Sequence, residues 1–511
     1  MFKFEFDLDD LTDETNQQPK ETQPSQAEDI QTIKDDRAQD PCVVIPFKEL
    51  IDRLPPFISY SNLKINDSLS IYKRELYDAK YQTIVNLAEE EEEREEEEQD
   101  REEQEGGEEE GKKNGEEEKT RQKTLESLQS SSDLIPGVYE GGFKTWECSL
   151  DLATHLDPIV ERLKTLFSKQ EEEDHPDRKT IPDENRNQSE DILPYRILEI
   201  GCGTAVPTVS LCFKLFAFLL ARNRAPQLES SFDRQHDLES PILEILLQDF
   251  NADVLKLLTF PNILLAFYRA SMMTSKLEQA DVAEEREENG NWTKERMDSS
   301  EETEEDLEIT DELKTDFELF LRENRIRLTL IYGPWSTFEL PGALSSNLTL
   351  SVPGNSGKQR RKGCEVIMSS ETLYSTGSLP DLINVLLSSK ITNLHPQTDD
   401  DPQRLEEGKE SDSTTILIAS KSVYFGVGGG THSFVDLVEN THKGAVEFVG
   451  LDHHSGPTSS GISRVLMDPR PKSRDSGTIR SANLQHKSLA YRQALAGARS
   501  ASHKVRPPVT Q

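Results

Sequence analysis

The chain has 511 residues, 34% hydrophobic and 30% charged, with a net charge of −38 and a mean hydropathy of −0.67. At about 150 residues per domain the length allows roughly three domains, but an ordinary globular chain is about 45–50% apolar, so one ordered domain with disordered additions is expected. Residues 89–118 carry 19 acids and 4 bases, and residues 278–316 carry 17 acids and 4 bases; this excludes a nucleic-acid reader over the whole surface and favours a basic protein partner.

No apolar run approaches the roughly 18 residues of a membrane span; the longest, around Phe213–Ala221 and Ile263–Phe267, are too short. The start, Met1-Phe2-Lys3-Phe4-Glu5-Phe6 followed by acids, has no secretory apolar core. The five cysteines, Cys42, Cys148, Cys202, Cys212 and Cys364, form no CxxC pair. Neither a disulfide framework nor a metal site is expected, and a reducing intracellular compartment is.

Residues 1–40 are polar apart from the Phe2/Phe4/Phe6 alternation, which reads as a short strand, a docking motif or a disordered start. Apolar patches at Val43–Phe47 and Leu76–Leu87 are able to order against a folded domain. Residues 89–133 are Glu-rich and then Ser-rich, a solvated linker, because adjacent like charges repel and there is no apolar face to bury. A helix opens at Trp146 and runs to about Phe167. Strand and helix signals then alternate. Strands are expected at Arg196–Gly201, Ile242–Phe250, Arg327–Gly333, Cys364–Ser370 and Thr414–Val423. Helices are expected at Val206–Leu220, from Asn251 until Pro261 interrupts it, at Leu379–Ser389 and at Thr431–Glu439. Ala445–Gly450 and Ile462–Met467 read as a closing pair of strands.

Repeated strand–helix units predict an α/β fold, a Rossmann-like doubly wound parallel sheet. The expected organisation is an N-terminal extension over 1–88, partly ordered, and a disordered linker over 89–132. A domain follows over 133–468, with inserts near 169–193, 222–240, 274–325, 342–362 and 392–413, and a basic disordered tail over 469–511.

The first of these strands ends in Glu199-Ile200-Gly201-Cys202-Gly203-Thr204-Ala205-Val206-Pro207. In a doubly wound sheet ligands bind at the carboxyl ends of the strands near the topological switch point, and glycine there admits a ligand close to the backbone. Asp249 ends the next strand, where a ribose diol is usually held. Without GxGxxG a pyrophosphate-binding Rossmann site is disfavoured, and without GxxxxGK[ST] a P-loop is excluded. A glutamate in strand 1, a GxG, and an acid after strand 2 resemble motif I and its partner acid in seven-strand class I methyltransferases that use S-adenosylmethionine.

Four further segments sharpen the resemblance: 133–148 (Asp-Leu-Ile-Pro-Gly-Val-Tyr-Glu-Gly-Gly-Phe-Lys-Thr-Trp-Glu-Cys), Gln248-Asp249-Phe250-Asn251, Ser369-Ser370-Glu371-Thr372-Leu373-Tyr374, and Ser420 to Gly430. Together they closely resemble the eukaryotic protein-histidine N-methyltransferase family that modifies a large-subunit ribosomal protein. The chain departs from the methyltransferase pattern at Ala205, where many members have a third glycine. The resemblance implies that Trp146, Glu147, Cys148, Ser149 and Leu150 lie along the cofactor, and that Gly201 and Gly203 approach its methionine portion. It implies that Gln248, Asp249 and Phe250 hold the adenosine, that Gly333, Pro334 and Trp335 close over the adenine, and that Ser370 stands near the methyl donor. It further implies a basic ribosomal-protein substrate, a cytoplasmic and nuclear monomer, and no membrane partner. Glu371 is the candidate to accept the second ring N–H of the acceptor histidine, with Tyr374 as a pocket wall. Two other readings stay open: a lysine-directed enzyme of the same fold acting on a translation factor, and a non-catalytic acidic escort of basic ribosomal proteins.

Overall fold

The computed structural model describes residues 41–85, 141–174, 194–222, 240–284, 304–341, 363–391, 414–424, 429–449 and 464–471. The aromatic start at Phe2, Phe4 and Phe6, the acidic linker, residues 425–428 of the glycine run and the tail beyond 471 lie outside them.

Eleven strands are described: β1 (Val43–Ile45), β2 (Phe57–Lys64), β3 (Ser70–Arg74), β4 (Tyr195–Ile200), β5 (Leu243–Asp249), β6 (Glu305–Glu308), β7 (Ile326–Tyr332), β8 (Val366–Ser370), β9 (Thr415–Lys421), β10 (Gly444–Val449) and β11 (Arg464–Pro471). Eight of them form one sheet in the order β1-β7-β5-β4-β8-β9-β11-β10. The central five run parallel, in register from Ile197↔Ile245 and Ile197↔Val366 outward. β11 pairs antiparallel with both β9 and β10. Setting aside the antiparallel edge strand β1, the order is that of the class I methyltransferase fold, and its switch point lies between β4 and β8.

The central strands are apolar on both faces, as parallel strands covered by helices require. Their alternation divides the core in two. Ile197, Ile245, Leu247, Leu328, Leu330 and Met368 face one layer. Leu198, Ile200, Leu246, Ile331, Ile367 and Ile416 face the other. The first layer is covered by α1 (Glu147–Thr154), α2 (Asp157–Asp174), α3 (Val206–Arg222), α4 (Phe260–Glu284) and α5 (Asp311–Glu323), and the second by α6 (Leu379–Ser388) and α7 (Thr431–Asp436).

Five expectations are corrected. The tail expected from 469 starts later, because β11 runs to Pro471. The helix from Trp146 is two helices, α1 and α2, parted at His155–Leu156; Pro158 sits in the first turn of α2, the position where its missing N–H costs nothing. The insert near 169–193 begins later, because α2 runs to Asp174. Pro261 does not end its helix: a π-helical turn (Leu255–Thr259) leads directly into α4. The Leu257 carbonyl that Pro261 cannot bond instead accepts from the buried Arg74 guanidinium at 2.9 Å. The stretch 274–325 is not a plain insert. α4 continues to Glu284, and β6 and α5 lie within the acidic run. α5 is capped by Thr310, which accepts from Leu313 N–H at 3.1 Å, and it buries Phe317, Phe320 and Leu321. Each such side chain contributes about 1.5–3 kcal/mol, and acids in the first turn suit the helix dipole. β6 joins β2 and β3 in a second, three-stranded sheet.

Candidate active site

The loop after β4 turns through three left-handed residues at alternate positions, Gly201 (φ +60), Gly203 (φ +52) and Ala205 (φ +53). Ala205 thus adopts the glycine-like conformation that its position demands, at a steric cost, and closes a turn through its N–H to Cys202 O at 2.7 Å. A Cβ on Gly201 would lie 2.6 Å from Thr372 Cγ2 and 3.5 Å from Trp335 Cζ2. One on Gly203 would lie 3.1 Å from the Gly142 carbonyl. The loop is therefore a bare-backbone cradle walled by Thr372, Trp335 and the Gly141–Gly142 turn.

Side chains from β5 hold that backbone open. Asp249 Oδ2 accepts from Gly203 N–H at 2.9 Å, and Oδ1 accepts from Asn251 N–H at 3.1 Å. Gln248 Oε1 accepts from the Trp335 indole at 2.8 Å and from Gly201 N–H at 3.3 Å, while its amide donates to Gly333 O at 2.8 Å. Asp249 and Gln248 are buried and Phe250 is half-buried beside them. Gly333 (φ +131) lies against Cys42, whose thiol donates to Pro334 O at 3.2 Å, so the segment before β1 backs this wall.

Glu199 does not face the cradle. Strand alternation turns it under α3, where Oε2 accepts from Thr208 N–H at 3.1 Å and from the Thr208 hydroxyl. Burial raises its pKa to about 7 against those hydrogen bonds, with Asp249 adding to the rise.

The other half of the site joins the start of α1 to the ends of β8 and β9. The Thr145 and Thr204 hydroxyls share a hydrogen bond of 3.0 Å, and the Trp146 indole donates to Gly141 O at 3.2 Å. Ser149 donates to Trp146 O at 2.6 Å. Glu371, left-handed at φ +58, accepts from Cys148 N–H at 3.4 Å and from Tyr424 O–H at 2.5 Å. Lys421 Nζ lies 3.2 Å from Glu147, 3.5 Å from Glu371 and 4.7 Å from the Trp146 ring centre. Burial alone would lower the Lys421 pKa, but Glu371 and then Glu147 keep it above the ordinary lysine range. Burial, followed by the Glu371 carboxylate, pushes the Cys148 thiol and the Tyr424 phenol well up.

The structure brings nearly all the expected residues to the carboxyl ends of the strands: Gly201, Gly203, Gln248, Asp249, Gly333, Pro334 and Trp335 on one side, and Trp146, Glu147, Cys148, Ser149 and Glu371 on the other. Ser370 closes β8, and Leu150 packs half-buried against the core. Tyr374 is half-buried, and its carbonyl accepts from Gly429 N–H at 3.0 Å. Sequence reasoning missed Lys421 and Tyr424 as members of the site. Lysine ending an apolar strand was the available signal, since such a charge requires a partner. Thr372 and Gly142 lie within the segments that carry the resemblance, yet nothing in their residue type singles them out. Among the described residues no cluster of three or more His, Cys, Asp or Glu could hold a metal ion, and no helix is long and apolar enough to cross a membrane.

No family model matches the chain. It is 28% identical over 338 residues to Histidine protein methyltransferase 1 of Saccharomyces cerevisiae, covering 66% of this chain and 66% of that protein. It is 24% identical to the Schizosaccharomyces pombe protein of the same name, over 61% of this chain and 60% of that one. The homolog in Rattus norvegicus is 25% identical, over 67% of this chain and 60% of that one. The chain thus matches slightly under two thirds of these relatives' own length. Among solved structures it is similar to a candidate RNA methyltransferase, PH1948, from Pyrococcus horikoshii (TM-score 0.23, 6% identity, 69% of this chain and 96% of that one). The CurJ carbon methyltransferase gives a TM-score of 0.22 at 11% identity, over 70% of this chain and 68% of that one. Scores that low bear no weight beside the strand order itself.

Proposed function

We propose that this chain is an S-adenosylmethionine-dependent protein-histidine N-methyltransferase acting on a large-subunit ribosomal protein in the cytoplasm and nucleus. The carrying observation is the cradle at the switch point. Gly201 has no room for a Cβ and Gly203 little, their N–H groups are held by Gln248 and Asp249, and the segment Trp146–Cys148 closes the far side. A bare backbone, a carboxylate and aromatic walls suit a ligand that has a zwitterionic amino-acid end and an adenosine end.

When bound, S-adenosylmethionine supplies a methyl group already activated by its sulfonium. The protein has to align the acceptor with that methyl and exclude water. Gly201 and Gly203 would let the methionine portion approach the backbone, and Gln248 and Asp249 would hold the adenosine. Phe250 would help to hold the adenosine, and Trp335 would close over the adenine with Gly333 and Pro334. A histidine acceptor, at about 6.5, is largely neutral at pH 7 and has one free ring lone pair, whereas lysine, at about 10.4, must first lose a proton. The site therefore needs an orienting acceptor for the other ring N–H more than a strong base. Glu371 is the candidate, with Tyr374 as a wall. Its oxygens already accept from Cys148 N–H and Tyr424 O–H, so the imidazole would meet a carboxylate fixed in place.

The acidic segments 89–118 and 278–316, net −15 and −13, favour a basic substrate and make its capture sensitive to salt. The test is incubation of the purified chain with methyl-labelled S-adenosylmethionine and a ribosomal-protein extract lacking the endogenous activity. Methylhistidine in one large-subunit protein, lost with Asp249→Ala, is the expected result. Methyllysine instead would move the acceptor class. No label and no cofactor binding would leave the escort reading.

A further inference from the structure

We infer that Lys421 is a positioning residue that clamps the Trp146–Cys148 segment onto the ends of β8 and β9; its bearing on activity rests on the methyltransferase reading. Lys421 closes β9, and its side chain is only 13% exposed. An ammonium so enclosed is costly unless paired, and its surroundings come from two separate elements. Glu147 at 3.2 Å and the Trp146 ring at 4.7 Å belong to the start of α1; Glu371 at 3.5 Å belongs to the end of β8.

Glu371 completes the clamp. Its carboxylate accepts from Cys148 N–H in the first turn of α1, where the helix dipole favours an anion. Tyr424 O–H ties the same carboxylate to the chain just beyond β9. The Glu371 backbone is itself anchored through its N–H to Ala419 O at 2.9 Å. From Trp146 the connection runs onward: the indole to Gly141 O, and the adjacent Thr145 hydroxyl to Thr204 in the cradle loop. Lys421 thus fixes where the tryptophan and the cradle stand relative to each other. Lys144, also near the Trp146 ring at 4.8 Å, is exposed, and its pull is the weaker. Without the Lys421 ammonium, Glu147 and Glu371 lose the cation they share.

The test uses the full chain carrying Lys421→Met, Lys421→Arg or, as a variant that leaves β9 intact, Glu147→Gln. Each is measured for S-adenosylhomocysteine affinity by calorimetry, for kcat and acceptor KM, and for tryptophan fluorescence with and without Trp146→Phe. Lys421→Met should weaken binding about tenfold, lower kcat more than it raises acceptor KM, and shift a fluorescence signal that vanishes in the Trp146→Phe background. Lys421→Arg should recover affinity to within about threefold, because it retains both the charge and the stacking. Glu147→Gln should move affinity and fluorescence in the same direction by less. Unchanged affinity in Lys421→Met, or a fluorescence shift that persists without Trp146, overturns the inference. If Lys421→Met does not fold, Glu147→Gln and Lys421→Arg decide by the same criteria. If the wild-type chain neither binds S-adenosylhomocysteine nor transfers methyl, the functional reading falls, and the fluorescence coupling alone decides the clamp.

Discussion

At the amino ends of the central strands, Arg196 Nε lies 2.7 Å from Glu244, Arg196 N–H donates to Glu365 at 2.6 Å, and Arg327 stands 3.8 Å from Glu244. At the carboxyl ends, Gln248 and Asp249 spend their polar groups on the backbone of Gly201, Gly203 and Gly333. Both ends are charged and buried, so charge density does not tell them apart. The difference lies in what the polar groups hold. At the amino end side chains largely neutralise one another, and the positive-φ residues there, Arg325 after α5 and Gly363 before β8, serve the chain's own turns: Arg325 ends the helix and Gly363 packs against the Lys390–Ile391 backbone. At the carboxyl end they hold open a loop that is left-handed at three alternate positions, and Glu371 is left-handed at the next strand end. Backbone conformations that cost energy gather where a ligand is to be received.

The contrast can be broken experimentally. Gly201→Val should have the largest effect, weakening S-adenosylhomocysteine by at least about 100-fold, because its side chain would occupy the space held by Thr372 Cγ2. Calorimetry on folded protein checks this; retained affinity would mean that the cradle is not the site. Glu199, between the two ends, should give a pH effect of up to about 3 kcal/mol. Its folded pKa, about 7, exceeds the ordinary 4.5. Its contribution is therefore fully present below pH 4.5 and is lost as pH rises through 7. Urea midpoints at pH 5 and pH 8 should converge in Glu199→Gln relative to wild type. Glu244→Gln should cost about 2 kcal/mol of stability and leave cofactor affinity unchanged; a parallel fall in affinity would show that the two ends are not separable. Arg327→Ala should change stability by less than about 0.5 kcal/mol, since that side chain is 57% exposed.

The parallel strands were legible because strands buried on both faces are continuous apolar runs, as in Ile197-Leu198 and Ile245-Leu246-Leu247. The cradle was legible because its demand for glycine is local. α5 was hidden by composition: three inward apolar residues suffice for a helix whose other positions are largely charged. Pro261 misled because its helix-breaking effect is cancelled by Arg74, 187 positions earlier, a partner no local pattern reveals. For Lys421 the sequence showed only that a lysine ending an apolar strand needs a partner, not which one. Its meaning comes from Trp146, Glu147 and Glu371, which meet it only once the sheet is assembled.

The three-stranded sheet also sets a timetable for the chain as it is made. The partner strand β3 follows β2 directly in the chain, but the other edge of β2 waits for β6, with Tyr60 and Glu305 lying 245 positions apart. At a synthesis rate of about 5–20 residues per second, that edge stands open for roughly 10–50 s. During this interval an exposed row of backbone donors and acceptors is available to other nascent chains. The acids Glu305, Asp306 and Glu308 on the late-arriving strand do not protect it in that time. The order of synthesis thus makes the first-made part of this sheet the last to be completed, and the most exposed to mispairing before the molecule has a site at all.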